Sequence, residues 1–502
     1  LTLRQGLQEL QDVKIFSDKY YLGLKDTVAA AKSSYDEPLH PLFKNIEKLN
    51  EGFIANRPES LYETINALNV LLSEANALKQ NDGLQNNIDG ISWLNKIESH
   101  LISMLADFDL LTPWHHHLPV SQSFSELKKL DAIPTFNEIY EYRKTILPVI
   151  EKYLKQANGN KDVTWLNNVL ADVKLGSRNA LEQLSTIEQL MNECAGFADV
   201  DYGFLYDKQK HLFHIGFNVT DDVKDKSYYD MLASEARLGI FTAIAQGKIS
   251  QGSWFALGRL ITNNGSAPVL LSWSGSMFEY LMPQLIMPVY ENTLLERTSR
   301  AAVKNQISFA EKNGIPWGIS ESAYNLVDTS LNYQYQSFGV PGLGLKRGLG
   351  DEMVVAPYAT MLAMMVNPVE AADNLMSMAK KGFEGRYGFY EAIDYTPARM
   401  PRGESHVLIK SFMVHHQAMG FLAMAYFLLG QKMQRRFEKD PQFQSALLLL
   451  QERAPRATNF YSHTEDPNNE RQAIGHDPYM RIINTPNTYI PEIQLRSNGK
   501  YQ

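Results

Sequence analysis

The sequence predicts an all-α protein, in which an N-terminal helical region precedes a helical toroid or barrel with a small β-hairpin and a loop-rich cleft. Three observations lead to this fold class. Apolar residues recur every three or four positions through the first 192 residues. The later helical segments are apolar on most sides, which is typical of helices packed against other helices. The loops between them are rich in Gly, Trp, Tyr and acidic residues, and such loops commonly carry binding sites.

Composition and charge limit the classes of function. The chain has 502 residues, of which 44% are hydrophobic and 21% are charged, so two or three domains with ordinary cores are expected. Its formal net charge is −8, which argues against a nucleic-acid partner, because such a partner requires a basic surface. The single cysteine, Cys194, excludes an intramolecular disulfide and favours a reducing compartment.

Residues 1–195 form the predicted N-terminal helical region, with periodic segments such as "LYETINALNVLLSEANALKQ". Its one unusual motif is "PWHHHLP", which contains His115, His116 and His117 beside Trp114. Adjacent residues do not share a helix face, and prolines bracket the run. We therefore interpret the motif as a polar loop and expect no metal site formed by the three histidines.

Residues 196–460 form the predicted catalytic domain. In "FLYDKQKHLFHIGFNV" two short strands are expected, joined by a polar turn. The segment at 411–430, "SFMVHHQAMGFLAMAYFLLG", is predicted to be a buried helix rather than a membrane span, since it contains two histidines and a glutamine. The glycine-rich "GVPGLGLKRGLGD" at 339–351 matches neither the P-loop pattern nor the dinucleotide-binding pattern G-x-G-x-x-G. It indicates a backbone that passes close to a neighbour, for which a sugar is one candidate.

Two acidic residues stand out by their surroundings. Glu235, in "YYDMLASEARLGIF", is predicted to lie on the apolar face of a helix. Burying an unpaired charge is costly, so Glu235 either pairs with Arg237 or Arg259 or lines a cleft. Glu321 lies in "GIPWGISESAYN", between two serines and near aromatic rings, with no lysine or arginine beside it. That setting suits an acid that protonates a sugar oxygen.

Further carboxylates are candidates, with three interpretations open. Glu279 and Glu391 are each surrounded by aromatic residues, and Asp230 and Asp394 lie near the same motifs. Glu279 and Glu391 are ligands of a sugar, residues that orient hydroxyls, or core acids satisfied by Arg386, Arg399 or Arg402. Two carboxylates with aromatic platforms are the minimum requirement for glycoside chemistry, although structural ion-pair networks contain similar sets.

Motifs between about residues 199 and 461 resemble the middle domain of cyclic β-1,2-glucan synthases. The motifs that carry the resemblance are "SYYDMLASEARLG", "SWSGSMFEYLMP", "GIPWGISESAYN", "NYQYQSFGVPGLGLKRGLGDEMVVAPYAT", "EGRYGFYEAIDYTPARMP" and "KSFMVHHQAMGF". The domain is similar to glycoside hydrolase family 189, which is related to the endo-β-1,2-glucanases of family 144. The resemblance implies an (α/α)6 barrel that uses no cofactor or metal.

The resemblance also implies the context of the chain. Residues 461–502 are expected to lead toward a phosphorylase-like domain, and their last segment, "YIPEIQLRSNGKYQ", is expected to contain a strand. The whole protein would be a larger membrane enzyme that also carries a glycosyltransferase domain. Its location would be the cytoplasmic side of the bacterial inner membrane.

The activity that the resemblance implies is anomer-retaining transglycosylation of linear β-1,2-glucan, which produces a ring when the acceptor is the same chain. By motif, the nucleophile falls on Glu235 and the acid/base on Glu321. The expected substrate-binding residues are Trp273, Tyr280, Trp317, Tyr324, Arg347, Tyr390 and His415. Two alternatives remain open from the sequence: an endo-β-1,2-glucanase that transfers to water, and a non-catalytic module that holds the glucan.

Overall fold

The computed structural model describes residues 1–157, 159–263 and 268–455. These residues are mostly helical with few small sheets, as predicted. The N-terminal region is helical up to residue 198, with 3₁₀ segments at Glu37–Phe43, Pro113–His117 and Gln122–Asp131. Its helices are α1 (Thr2–Leu10), α2 (Lys19–Ser33), α3 (Lys44–Ala55), α4 (Leu61–Lys79), α5 (Ile88–Leu111), α6 (Phe136–Thr145), α7 (Leu147–Gln156) and α8 (Asn160–Ala198).

Local sequence sets where several of these helices begin. Ser60 caps α4 by accepting a hydrogen bond from the backbone N–H of Glu63. Thr135 and Glu138 form a capping box at the start of α6. Both devices satisfy N–H groups that have no partner within the helix. The helices enclose two clusters of buried apolar residues, one centred on α2–α5 and the other on α5–α8.

The second region contains shorter helices and many small strands around one large apolar cluster. Its helices are α9 (Arg237–Ala245), α10 (Gly252–Ala256), α11 (Met277–Leu281), α12 (Leu294–Asn313), α13 (Pro357–Ala363), α14 (Pro368–Lys380), α15 (Val414–Leu428), α16 (Lys432–Lys439) and α17 (Pro441–Gln444). Further 3₁₀ segments lie at Met282–Leu285, Leu349–Asp351, Pro397–Arg399 and Leu447–Gln451.

The strands are short and pair antiparallel. They are β1 (Tyr206–Asp207), β2 (Leu212–His214), β3 (Phe217–Asn218), β4 (Val223–Lys224), β5 (Tyr228–Tyr229), β6 (Ile261–Asn263), β7 (Pro268–Leu270), β8 (Ser322–Val327), β9 (Tyr333–Gln336), β10 (Val354–Val355), β11 (Glu384–Gly385), β12 (Gly388–Phe389), β13 (Ala392–Asp394) and β14 (Val407–Ile409). Two sheets have three strands, in the orders β1-β2-β5 and β10-β13-β14. The predicted hairpin is confirmed, because β1 pairs with β2 with Tyr206 opposite Phe213. The strand expected near the C-terminus lies outside the described residues.

The predicted helix at 411–430 exists as α15, but the expectation that it is buried was wrong for one face. His416, Met419 and Ala423 are buried, while Val414 and Phe421, seven residues apart, are among the large exposed apolar side chains. Within the part of the chain that the structure describes, no helix combines the length and the apolar character needed to cross a bilayer.

The glycine-rich loop at 339–351 lies against protein backbone. A Cβ atom on Gly339 would be 1.8 Å from the carbonyl oxygen of Ser274, and one on Gly344 would be 2.5 Å from the backbone nitrogen of Gly275. The close approach predicted for this loop is therefore confirmed. Its partner at these two positions is the loop at residues 272–276, and not a sugar.

Replacing Gly339 by alanine is expected to destabilise the fold by about 2 kcal/mol or more, because the new methyl group overlaps backbone that cannot rotate away. The measurement is the free energy of unfolding in denaturant. Gly350→Ala is the matched control in the same loop, since its Cβ would meet Pro341 at an ordinary 3.5 Å. Equal stability of the two variants would contradict the close approach.

Candidate active site

Glu321 lies immediately before strand β8, at the base of the hairpin formed by β8 and β9. The pairing sets Ala323 opposite Tyr335, and Tyr335 donates its hydroxyl proton to Glu321 Oε1 over 3.1 Å. The hydroxyl of Tyr358 donates to the backbone carbonyl of Glu321 over 2.9 Å. The hairpin and α13 therefore fix both the backbone and one carboxylate oxygen of Glu321.

A chain of polar groups continues from Tyr335 into the core. The Tyr335 hydroxyl lies 3.3 Å from His416 Nε2, and His416 Nδ1 lies 2.9 Å from Glu391 Oε1. When Glu321 is ionised, Tyr335 gives its single proton to Glu321, and a Nε2–H of His416 then donates to the Tyr335 oxygen. Tyr358 stacks on the His416 ring at 3.8 Å and 13°, which fixes the orientation of the imidazole.

Glu235 lies in the turn that leads directly into α9, two residues before Arg237, and not within a helix as predicted. Ser234 Oγ donates to Glu235 Oε2 over 3.1 Å. The guanidinium of Arg237 is buried and donates to the backbone carbonyls of Ser234 and Glu279, each over 2.9 Å. The predicted arginine partners are thus engaged elsewhere, since Arg259 pairs with Glu452. Among the described residues Glu235 takes part in no ion pair.

Burial and the charge of a neighbouring carboxylate raise the pKa of both acids. Burial raises the pKa of Glu235 above its ordinary value, and the charge of Glu279 raises it further, although hydrogen bonds to backbone N–H and Ser234 oppose the shift. Burial also raises the pKa of Glu321, with the charge of Glu235 adding to the shift and the Tyr335 hydrogen bond opposing it. The pKa of Tyr229 is raised by burial and then by the charges of Glu235 and Glu321, which places its ring near both carboxylates. The structure thus brings these two predicted acids into one electrostatic cluster.

Glu279 is enclosed by the loop that precedes it. Its carboxylate accepts from the hydroxyls of Ser272, Ser274 and Ser276 and from the backbone N–H groups of Trp273, Ser274 and Ser276. The suggested arginine partners are therefore wrong for this residue. With its oxygens occupied by the loop, Glu279 serves as an anchor for the segment, and the arrangement leaves it poorly suited to bind a sugar.

Two predicted stacking residues lie in the core. Tyr280 is 2% exposed, and its hydroxyl donates to backbone carbonyls of Leu270 and Leu343. Trp317 is 7% exposed. Neither ring can present a face to a sugar, so these two assignments are corrected to core residues. Trp273 is 63% exposed and keeps a free surface for stacking.

The remaining predicted site residues are dispersed. Tyr324 packs edge-on against Phe338 and lies under the Arg399 guanidinium at 4.8 Å. Tyr390 is half-buried and packs against Phe412. His415 and Arg347 are exposed.

The two aspartates occupy opposite environments. Asp394 is fully buried and accepts from Arg399 Nε over 2.7 Å and from the Asn325 backbone N–H over 3.1 Å, so it is a structural acid. Asp230 is exposed.

Several residues of the cluster were missed from sequence. Tyr335, Tyr229 and Tyr358 have no spacing signal that links them to Glu321, since the contacts depend on strand pairing and helix docking. His416 had a usable signal: it shares one face of α15 with Met419, Gly420 and Ala423, at the spacing of a buried stripe. Applied to the adjacent histidines, that spacing selects His416 and not His415.

Replacing Glu391 by alanine is expected to lower the free energy of unfolding by about 3 kcal/mol, because it leaves the buried imidazole of His416 without its partner. Both side chains are only 1% exposed. Thermal and denaturant unfolding measure the effect, and Asp230→Ala serves as the exposed control, expected within about 0.5 kcal/mol of wild type. A loss below about 1 kcal/mol for Glu391→Ala would show that the pair is not a stabilising contact.

Two surface cavities lie away from this cluster. One, of about 960 Å³, is bounded by α5 and by Arg386 of the β11–β12 hairpin. The other, of about 780 Å³, lies beside the segment that follows α8 and the turn after α9. Neither cavity is lined by Glu235 or Glu321, so neither belongs to the candidate active site.

Comparisons with known proteins agree with the sequence motifs. The family model described as putative glucoamylase matches residues 227–441, a range that includes Glu235, Glu321, Tyr335, Glu391 and His416. Cyclic β-(1,2)-glucan synthase NdvB of Rhizobium meliloti (strain 1021) is 34% identical over 439 residues. The match covers 83% of this chain and 16% of that protein, so the chain corresponds to a small part of its relative.

Among solved structures, two of an endo-β-1,2-glucanase from Talaromyces funiculosus are similar to this chain. The complex with sophorose has a TM-score of 0.37 at 14% identity and covers 78% of each chain. The complex of a mutant with β-1,2-glucan has a TM-score of 0.34 at 14% identity, covering 79% of this chain and 82% of that one.

Proposed function

Since this chain is related over most of its length to a segment of a cyclic β-(1,2)-glucan synthase, we propose that it is an anomer-retaining β-1,2-glucan transglycosylase. It cleaves a linear glucan and transfers the piece to a glucan hydroxyl, which closes a ring when donor and acceptor are the same chain. The (α/α)6 arrangement of residues 196–460 belongs to this proposal, with residues 1–195 as a separate helical region. So do the flanking glycosyltransferase and phosphorylase-like domains of the whole protein and its position at the cytoplasmic side of the inner membrane.

One observation carries the proposal: both carboxyls have a raised pKa, the charge of Glu235 contributes to the raised pKa of Glu321, and each carboxyl is held by hydroxyl donors and not by a lysine or arginine. Retaining glycosidases use such a pair, one as nucleophile and one as acid/base. A carboxyl that must hold a proton near neutral pH needs a raised pKa, and Glu321 meets that requirement through burial and the charge of Glu235.

The proposed reaction has two steps. Glu235 attacks the anomeric carbon while Glu321 protonates the departing glycosidic oxygen, giving a glycosyl ester on Glu235. Glu321, now a carboxylate, removes the proton from the acceptor hydroxyl, which attacks the ester and releases Glu235. Tyr335 keeps Glu321 Oε1 occupied throughout, so that Oε2 is the oxygen that faces the substrate.

Loss of ionisation at Glu321 is expected to stabilise the protein at neutral pH. A carboxyl whose folded pKa lies above its unfolded value of about 4.3 contributes stability below that unfolded pKa, and the contribution is lost as pH rises through the folded pKa. Glu321→Gln mimics the protonated form at every pH. Its melting temperature should equal that of wild type near pH 4 and exceed it increasingly toward pH 8.

Thermal unfolding of both proteins over that pH range tests the pKa shift without any substrate. Asp230→Asn, which removes an exposed carboxylate in the same way, is the matched control. A difference that does not change with pH would contradict the raised pKa of Glu321.

The function is tested by incubating the chain with linear β-1,2-glucan and measuring product masses. A ring lacks one water relative to the linear chain of the same length. Rings, or chain lengths redistributed above and below that of the substrate, are expected. Shorter linear chains alone would assign an endo-β-1,2-glucanase, and unchanged substrate would leave a glucan-binding module.

A further inference from the structure

The histidine run of the N-terminal region is a 3₁₀ segment, Pro113–His117, and not the loop that its sequence suggested. It follows α5 directly and is fixed at its start. Thr112 Oγ1 donates to the Phe108 carbonyl over 2.9 Å, and the buried indole of Trp114 donates to the Leu130 carbonyl over 2.9 Å. These hydrogen bonds fix the backbone of the 3₁₀ segment, and with it the positions from which the histidine side chains extend.

Two of the three histidines converge on one carboxylate. His115 Nε2 lies 2.7 Å and His116 Nε2 lies 3.3 Å from Asp109 Oδ1, which belongs to the last turn of α5. The three potential ligand atoms all lie within 4.8 Å of one another. His117 points elsewhere, to Asp172 Oδ2 at 2.9 Å.

We propose that Asp109, His115 and His116 bind a divalent transition-metal ion of the zinc class. Imidazole nitrogen and carboxylate oxygen are the ligands that such ions prefer. With metal–ligand bonds of about 2.1 Å, two ligands of a tetrahedral ion lie about 3.4 Å apart. The distance from His116 Nε2 to Asp109 Oδ1 already has this value within 0.1 Å, and the His115 contact has to open by less than 1 Å.

Electrostatics and exposure agree with an open, three-ligand site. With two imidazole nitrogens and one carboxylate oxygen, the set offers a single formal negative charge to the cation, that of Asp109. The cation would lie at the C-terminal end of the 24-residue helix α5, where the helix dipole favours positive charge. Asp109 and His116 have side chains 59% and 62% exposed, so water completes the coordination. The ion would join the end of α5 to the 3₁₀ segment.

The test is equilibrium dialysis of the full chain against Zn²⁺, with the bound metal counted per chain. Wild type is expected to bind one Zn²⁺ saturably, and His116→Ala and Asp109→Ala are each expected to weaken that binding at least tenfold. His117→Ala is the matched control, because it removes the neighbouring histidine of the same run but not a ligand. Replacement of Zn²⁺ by Co²⁺ should give a visible absorption spectrum that His116→Ala abolishes and His117→Ala retains.

Three results would overturn the proposal. They are no saturable Zn²⁺ binding by wild type, an affinity of His116→Ala or Asp109→Ala equal to that of wild type, or a loss of affinity in His117→Ala as large as in the two ligand variants. The substituted ligands Asp109 and His116 are both exposed, so the variants are expected to fold, and circular dichroism verifies this. The readout is independent of the proposed glucan chemistry.

Discussion

Removing the Glu235 carboxylate as Glu235→Ala is expected to reduce turnover of linear β-1,2-glucan by about 10⁴-fold or more, the scale on which loss of a nucleophile acts. Sodium azide should restore activity in part, because the small anion fits the space that the side chain leaves. Azide then attacks the anomeric carbon from the side of Glu235, opposite the leaving group, while Glu321 still protonates the departing oxygen. The product is an α-glycosyl azide, inverted relative to the β-linked substrate.

Proton NMR of the product identifies its anomeric configuration. Glu235→Gln is the matched variant, since the amide fills the space and should show equally low turnover without azide rescue. Full activity of Glu235→Ala, or a β-configured azide as the product, would remove Glu235 from the role of nucleophile.

Glu321→Ala is expected to lower turnover of linear glucan by about 10²–10⁴-fold, the range for a general acid. The test substrate is an aryl β-glycoside of a β-1,2-glucan chain, whose phenol leaves without protonation. The variant should cleave it in the first step almost as fast as wild type, because only the natural sugar leaving group depends on the acid. With azide the glycosyl ester on Glu235 is intercepted from the opposite side, and the product is the retained β-glycosyl azide.

The contrast between the two azide products distinguishes the two roles within one pair of variants. Asp230→Ala, at the exposed acid before the Glu235 turn, should behave as wild type in both assays. Equal loss on the aryl substrate and on the glucan would mean that Glu321 does not act as the acid and supports the site in another way. An α-azide from Glu321→Ala would exchange the two assignments.

Much of the helical architecture was predictable, because periodicity is a local signal. The N-terminal helices and the β1–β2 hairpin could be located from residue patterns alone. The placement of Glu235 was not predictable in detail, because apolar neighbours at helical spacing also occur where a strand and a turn lead into a helix. The start of α9 depends on how Arg237 bonds to carbonyls of the distant α11, and no local pattern encodes that contact.

The hydrogen-bond partners of the acids were harder to predict from the sequence than the acids themselves. Glu279 and Glu391 were found by their aromatic neighbours, yet their partners are serines and a histidine, and not the arginines that charge complementarity suggested. Tyr335 reaches Glu321 only through the register of β8 and β9. Such contacts are set by tertiary pairing, on which a single sequence gives little information.

The loop that encloses Glu279 makes position 273 replaceable. Trp273 contributes only its backbone N–H to the carboxylate, while its side chain is largely exposed. Any residue other than proline can supply that N–H, so selection or engineering can change the ring at this position without loosening the loop. Under the proposed function, single substitutions at position 273 are expected to change the preference for glucan length at a site whose backbone is already fixed.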